Sequence, residues 1–102
     1  MKAPSAAAAA EARTRAIVTV IGEDQVGIIA GVATILADCG ANIHDISQSI
    51  MQEFFVMIMM VDLSRASVDF DDLKGRLNQK GEAMGLKIDI QREDVFKLMH
   101  RV

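Results

Sequence analysis

The chain has 102 residues, of which 51% are hydrophobic, 25% charged and 4% aromatic, and its formal net charge is -3. This length and composition suit one globular domain with one core and exclude a protein that is disordered throughout. The acidic balance and the shortage of aromatic side chains argue against nucleic-acid binding, which needs basic surfaces and stacking platforms.

Cysteine content and hydropathy limit the cellular compartments that suit the protein. Cys39 is the only cysteine, so an internal disulfide and a thiolate metal cluster are both excluded, which fits a reducing cytoplasmic location. No apolar run reaches the roughly 20 residues needed to span a bilayer. The alanine-rich start superficially resembles an export signal but lacks a leucine-rich segment. We therefore interpret residues 1–14 as a mobile or partly helical tail and residues 15–102 as one domain.

The first third of the domain predicts a strand followed by a helix. Residues 15–21 are rich in β-branched side chains and precede a glycine, which is typical of a strand. Apolar residues at helical spacing then predict a helix from near Val26 to Cys39. Asp24 is a candidate N-cap for this helix, and Gly40 is placed as a C-terminal glycine.

The middle of the domain predicts a hairpin. Residues 42–52 mix isoleucines with polar side chains, as in a half-buried edge strand. Residues 54–62 are almost wholly apolar, which suits a strand buried on both faces. Glu53 lies at the turn that joins the two strands.

The last third predicts a helix, a strand and a short helix. Asp69 is placed to cap the second helix, and Gly85 to end it. Residues 86–91 alternate between apolar and polar side chains, as in a strand with one buried face. Residues 93–101 predict a terminal helix with its apolar side chains on one side.

This order of elements predicts an α+β fold. It favours a ferredoxin-like βαββαβ sandwich with an antiparallel sheet in the order 4-1-3-2, both long helices on one face and an extra C-terminal helix. The third strand is apolar on both faces, so the second face of the sheet also needs a cover. A two-turn terminal helix is small for this purpose, and we expect a partner subunit to contribute.

The residue patterns predict no catalytic or metal-binding group. Side chains alternate between the faces of a strand, so His44 should point away from Ser47, Ser49 and Asp45, and no nucleophile–base pair results. His44, Asp45 and Asp24 would need further ligands to hold a metal ion. We therefore expect no enzyme activity, no metal and no cofactor.

Two other patterns are interpreted as structural. The group Asp62, Asp69, Asp71 and Asp72 lacks the spacing of a calcium-binding loop and predicts a solvated turn and a helix start. No phosphate-binding or dinucleotide-binding glycine motif follows the first strand.

The turn between the first strand and the first helix, GEDQVGII at 22–29, is more informative. A helix N-terminus carries unpaired N–H groups and partial positive charge, and Gly27 lets a ligand approach the backbone, so a carboxylate could bind there. Alternatively, Asp24 occupies these N–H groups as a cap and Gly27 eases packing. The residues alone favour neither reading.

Three segments together resemble the ACT domain family, namely IVTVIGEDQVGII at 17–29, GANIHDISQSI at 40–50 and the ending IQREDVFKLMHR at 90–101. Over about residues 15–102 the chain is similar to small stand-alone ACT proteins of bacteria and archaea. The resemblance implies the βαββαβ fold and a homodimer, or higher homo-oligomer, whose second strands join edge to edge. It also implies that an amino acid or other small metabolite binds between helix 1 of one copy and strand 2 of the other.

The resemblance further implies a ligand-binding set at this interface. Carried over residue by residue, the loop side comprises Asp24, Val26, Gly27 and Ile28, and the strand side comprises Asn42 and Ile43. Asn42 can both donate and accept hydrogen bonds, which suits an α-amino acid, although asparagine after Gly40 also suits a turn. Since no enzyme domain is attached, a regulated protein would be a separate chain.

Alternative functions are compatible with the same element order. A ligand-independent module for dimerisation and protein interaction is the first alternative. An RNA-recognition motif would need exposed aromatic and basic side chains on its middle strands, and an acylphosphatase would need an arginine in the first loop. Neither requirement is met, and we expect neither nucleic acid nor a membrane as a partner.

Overall fold

The computed structural model describes residues 14–99. The elements, in chain order, are β1 (Arg15–Glu23), α1 (Ile28–Asp38), β2 (Asn42–Met51), β3 (Phe54–Asp62), α2 (Phe70–Met84), β4 (Lys87–Arg92) and α3 (Glu93–Met99). The strands form one antiparallel sheet in the order β2-β3-β1-β4, which confirms the predicted ferredoxin-like fold, with β2 at an edge. No helix in this part of the chain has the length and apolar character of a membrane span.

The core lies between one face of the sheet and the helices α1 and α2. Alternate residues of β1, β3 and β4 point to this face, as strand geometry requires. They pack with the apolar stripes of the two helices, and the fully buried side chains of this core include Val18, Val20, Met57, Met59, Val61, Ile90, Val32, Leu36, Leu73 and Leu77.

The start of α1 differs from the prediction. The helix begins at Ile28 rather than near Val26, and Gly27 is its N-cap with a φ of 91°, a left-handed conformation that favours glycine. The predicted cap by Asp24 is wrong, since no side chain caps this helix. Asp24 lies too far ahead of the first turn, and its backbone N–H instead donates to the carbonyl of Glu53 at 2.9 Å.

The other predicted helix ends are confirmed. Gly40, with a φ of 75°, follows the end of α1, and Gly85, with a φ of 70°, ends α2. Asp69 caps α2 through a hydrogen bond of 2.7 Å from the backbone N–H of Asp72 to its Oδ1. The Asp69 side chain pairs an N–H group at the start of α2. The left-handed glycines let the following chain turn back and donate to carbonyl groups at the helix ends.

A β-bulge interrupts the hairpin of β2 and β3. The pairing register shifts between Ile43 and Asp45, so that His44 has no partner of its own on β3. The prediction that His44 faces away from Asp45 rests on strict alternation, which does not hold at a bulge. The Nε2 atom of His44 lies 3.5 Å from Oδ2 of Asp62.

The C-terminal helix α3 covers part of the second sheet face. It forms one side of an open cavity of about 310 Å³ lined by Ile17, Thr19, Ile21, Asp89, Gln91, Phe96 and Met99. Glu93 is buried and anchors the start of α3 to β1, because its carboxylate lies 3.0 Å from Nε of Arg15. Within α3, Nζ of Lys97 lies 3.2 Å from the same carboxylate. Of the three side chains predicted on the apolar side of this helix, Val95 and Met99 are exposed, and Phe96 is half-buried.

The second face remains open over β2, β3 and the end of β1 among the described residues, and Ile21 lies at the border between this area and the α3 cavity. Four apolar side chains, each between 43% and 65% exposed, form what we call the open patch: Ile21, Met51, Phe54 and Ile58. The alanine-rich segment at 1–13 and the residues from His100 onward lie outside the described part of the chain.

Candidate functional site

Four of the predicted ligand-binding residues lie in the turn from β1 to α1. The side chains of Asp24 and Val26 are exposed, and Val26 is wholly so. Ile28 is 2% exposed and belongs to the core. A Cβ built on Gly27 would meet no atom within 4 Å, so the backbone at this position is open to an approaching group. Asp24 and Val26 can therefore offer side chains, whereas Gly27 and Ile28 can offer backbone groups.

The turn is held in place and its helix end is uncapped. The Nε2 atom of Gln25 donates to the carbonyl of Met84 at 2.9 Å, which ties the turn to the end of α2. The N–H of Asp24 ties it to Glu53 in the hairpin turn. Because no side chain caps α1, the N–H groups of its first turn are available, and the reading in which Asp24 occupies them is excluded.

The two strand-side residues lie at the start of β2. Asn42 is exposed and pairs with Asp62 in the sheet, whereas Ile43 is half-buried and packs against the core. Asn42 also lines a groove of about 650 Å³, which we call the β2 groove; its walls are Gly40, Ala41, Asn42, Asp62, Ser64 and Arg65.

Within one subunit, the two sides of the predicted site are far apart. Asn42 lies opposite Asp62, and Met51 lies opposite Phe54, beside the turn that contacts Asp24. These positions are at opposite ends of the nine-residue strand β3. At about 3.3 Å per residue, they are roughly 26 Å apart. A single subunit therefore does not bring the six predicted residues together.

The β2 groove carries an ionised carboxylate. The backbone N–H of Ser64 donates to Oδ1 of Asp62 at 2.8 Å, and this bond, with smaller contributions from the Ser64 side chain and from His44, lowers the pKa of Asp62 below its ordinary value of 3.8. The guanidinium of Arg65 is exposed and forms no ion pair within residues 14–99. The groove thus presents one negative and one positive group.

The sequence pattern at Asp62 indicates only a solvated turn, and no pattern indicates a role for Ser64 or Arg65, so sequence reasoning missed these three groove residues. The predicted hairpin could have placed them near Asn42. Regular pairing around a turn at 52–53 sets Asn42 opposite Leu63, which is their neighbour in the sequence. The bulge at His44 moves this pairing by one residue, to Asp62. A bulge has no distinct signature in this sequence.

The arrangement suits noncovalent binding. No three metal-ligating side chains converge anywhere in the described range 14–99. The turn offers backbone N–H groups to an anion, and the groove offers an amide, a carboxylate and a guanidinium.

Comparison with known proteins gives a consistent result. The family model of the ACT domain matches residues 14–91. The chain is 57% identical to a UPF0237 protein of Clostridium acetobutylicum, over 86% of this chain and 99% of that protein. It is 52% identical to a UPF0237 protein of Methanocaldococcus jannaschii, over 87% and 99%. Its structure resembles an ACT domain protein from Streptococcus pneumoniae with a TM-score of 0.71 and 40% identity, covering 81% of this chain and 93% of that one.

Proposed function

Because the chain belongs to the ACT domain family, we propose that it is a homodimeric regulatory domain that binds an amino acid or related small metabolite between its subunits. The proposal assigns this role to the domain at 15–102, working in the cytoplasm on a separate protein. It involves no catalytic residue and no cofactor. Larger homo-oligomers built from the same dimer are compatible with it.

The observation that carries the proposal is the separation of the two sides of the site. If two β2 edges pair antiparallel about Ser47, Asn42 of one subunit comes level with Gln52 of the partner subunit. Gln52 adjoins Glu53, whose carbonyl holds the turn at Asp24. In this register, edge-to-edge pairing would bring the strand side of one subunit close to the loop side of the other, at two equivalent places.

The exposed edge of β2 supports this pairing. Ile46 and Ile50 lie opposite core residues of β3, on the helix-covered face, yet are 40% and 56% exposed. Ile29 on the adjacent helix α1 is 39% exposed. An unpaired strand edge flanked by isoleucines favours association with another strand.

Ligand binding at such an interface couples occupancy to association. A molecule that contacts both subunits stabilises the dimer by mass action. The stabilisation is about 2.7 kcal/mol when the free ligand concentration is 100 times the dissociation constant. The dimer could then present or hide a surface for the separate regulated protein.

A thermal-shift screen against the standard amino acids and common metabolites tests the proposal. We expect one chemical class to raise the melting temperature by several degrees and to tighten association. Asn42→Ala should abolish the shift, whereas Asn78→Ala, an exposed position on α2 away from the groove, should keep it. A flat response to every compound would contradict ligand binding.

A ligand-independent interaction module remains the alternative, and the open patch favours it. An apolar surface of this kind can recruit another protein without any small molecule. This alternative predicts a stable dimer whose melting temperature ignores all tested compounds and whose function survives Asn42→Ala.

A further inference from the structure

We propose that the β2 groove recognises the zwitterionic backbone of an α-amino acid, with Arg65 binding the carboxylate and Asp62 binding the ammonium group. This inference deepens the proposed function and rests on it, because it names the ligand class and adds two specificity residues. Arg65 and Asp62 lie outside the six residues that the family resemblance indicates.

Arg65 is placed for this role by a fixed backbone. The Ser67 N–H donates to the carbonyl of Cys39 at 2.8 Å, and the Leu63 N–H donates to the carbonyl of Thr14 at 2.7 Å, so the loop is tied down on both sides of Arg65. A Cβ on Gly40 would lie 2.7 Å from the carbonyl oxygen of Arg65, which shows how closely the two backbones approach. The backbone at Arg65 is therefore held in place before any ligand arrives.

The guanidinium of Arg65 lacks a carboxylate partner among residues 14–99, including Asp62 across the groove. A guanidinium binds a carboxylate through paired N–H groups, with more geometric specificity than an ammonium provides. A ligand carboxylate supplies the partner that the protein does not.

Asp62 selects against simple anions. Its carboxylate is ionised at neutral pH, and it keeps acceptor capacity beyond the bond from Ser64 to Oδ1 and the contact of His44 with Oδ2 at 3.5 Å. It would attract an ammonium group and repel the second charge of a phosphate or dicarboxylate. Asn42, on the paired strand, can bond to either end of the zwitterion.

Dimerisation strengthens this recognition. The groove lies where β2 begins and β3 ends, and β2 is an edge strand, so the proposed dimer would bring Val26 of the partner subunit to this region. Exclusion of water by the second subunit lowers the local dielectric constant and increases the energy of each charge contact. The fully exposed Val26 would cover the side chain of the ligand.

Calorimetric titration with a matched ligand series tests the inference. For each amino acid that shifts the melting temperature, the series comprises the free amino acid, its primary amide and its N-acetyl derivative. We expect the wild type to prefer the free amino acid by about tenfold or more over both derivatives. Arg65→Gln should weaken binding of the free amino acid and remove the preference over the amide. The control Arg76→Gln, on an exposed arginine of α2 paired with Asp72, should change neither.

The outcomes separate the inference from the proposed function. Binding that needs Asn42 but is unchanged in Arg65→Gln, or equal for acid and amide, would overturn the inference and leave the sensor intact. Binding of phosphate or a dicarboxylate in place of amino acids would overturn it as well. If no compound binds the wild type, both fail.

Discussion

Asp62 connects the fold to the candidate site. Its carboxylate accepts from the backbone of Ser64, lies beside His44 in the bulge and lines the β2 groove next to Asn42. A bond from a backbone N–H stabilises the charged form, so the same contact that shapes the turn lowers the pKa of the carboxyl group.

This contact predicts how stability depends on pH. The pKa of Asp62 is lowered by folding, so the ionised carboxylate stabilises the protein above its unfolded value of 3.8, and this contribution disappears as the pH falls through the lower folded value. The free energy of unfolding of the wild type, relative to Asp62→Asn, should therefore be larger at neutral pH than at about pH 3. Urea unfolding at both pH values measures it.

Ser64→Ala is the matched control for this experiment, because it retains the backbone N–H that donates to Asp62 and removes only the smaller contribution of the Ser64 side chain. It should keep most of the pH dependence of the wild type. If the free energy of unfolding of the wild type exceeded that of Asp62→Asn by the same amount at both pH values, this result would contradict the assigned hydrogen bond.

Asp69 has a purely structural task, which gives a second prediction. Asp69→Ala removes the acceptor for the Asp72 N–H and should lower the free energy of unfolding by about 1 kcal/mol. Asp71→Ala loses only a favourable charge in the same turn and should cost about 0.5 kcal/mol. Chemical denaturation of both variants checks the difference, and equal losses would contradict the cap.

At the residue scale, sequence reasoning succeeded where one side chain has a local cause. Asp69 precedes an apolar stripe at helical spacing, and Gly85 follows it, so both helix ends were predictable. The predicted cap by Asp24 is wrong because Gly27, with its positive φ, is the N-cap, so the helix begins at Ile28 and its first turn lies beyond the reach of Asp24. The groove residues were missed because they meet Asn42 only through a hairpin whose register a bulge alters.

At the element scale, α2 contains a contrast that its sequence does not reveal. Gly75 and Gly81 both lie inside the helix, and propensity alone assigns each the same cost of about 1 kcal/mol relative to alanine. A Cβ at Gly75 would meet no atom within 4 Å, whereas a Cβ at Gly81 would lie 2.6 Å from the carbonyl oxygen of Leu86. Gly81 therefore lets α2 pack closely against the chain entering β4.

This contrast gives a third prediction. Gly75→Ala should raise the free energy of unfolding by up to about 1 kcal/mol, because only helix propensity changes. Gly81→Ala should lower it, because the backbone of β4 would have to move. Thermal and urea unfolding of the two variants provide the measurement, and a gain in stability for Gly81→Ala would contradict the close packing.

Strand prediction was accurate where composition changes sharply. The apolar run of β3 is bounded by Glu53 and Asp62, and the structure gives the predicted range. β1 was predicted to stop before Gly22 but continues to Glu23, since its pairing with β3 runs as far as Phe54. Pairing between residues far apart in the sequence is not indicated by the amino-acid composition of the strand itself.

For the whole molecule, the order of elements was sufficient to predict the sheet order, because few topologies satisfy the rules of handedness and connection. The order of elements does not predict which surface forms the dimer interface. Apolar side chains are exposed both at the β2 edge, at Ile46 and Ile50, and in the open patch, at Phe54 and Ile58. The proposed site requires the first of these two surfaces to be the dimer interface.

Sedimentation velocity of the wild type, Ile46→Lys and Ile58→Lys tests this requirement most directly. The two isoleucines lie in the same hairpin with similar exposure, 40% and 43%, but on opposite faces of the sheet. We predict dimers for the wild type and Ile58→Lys and folded monomers for Ile46→Lys, with circular dichroism confirming that each variant folds. A monomeric wild type, or a dimer lost in Ile58→Lys and kept in Ile46→Lys, would contradict a ligand site completed across the β2 edges.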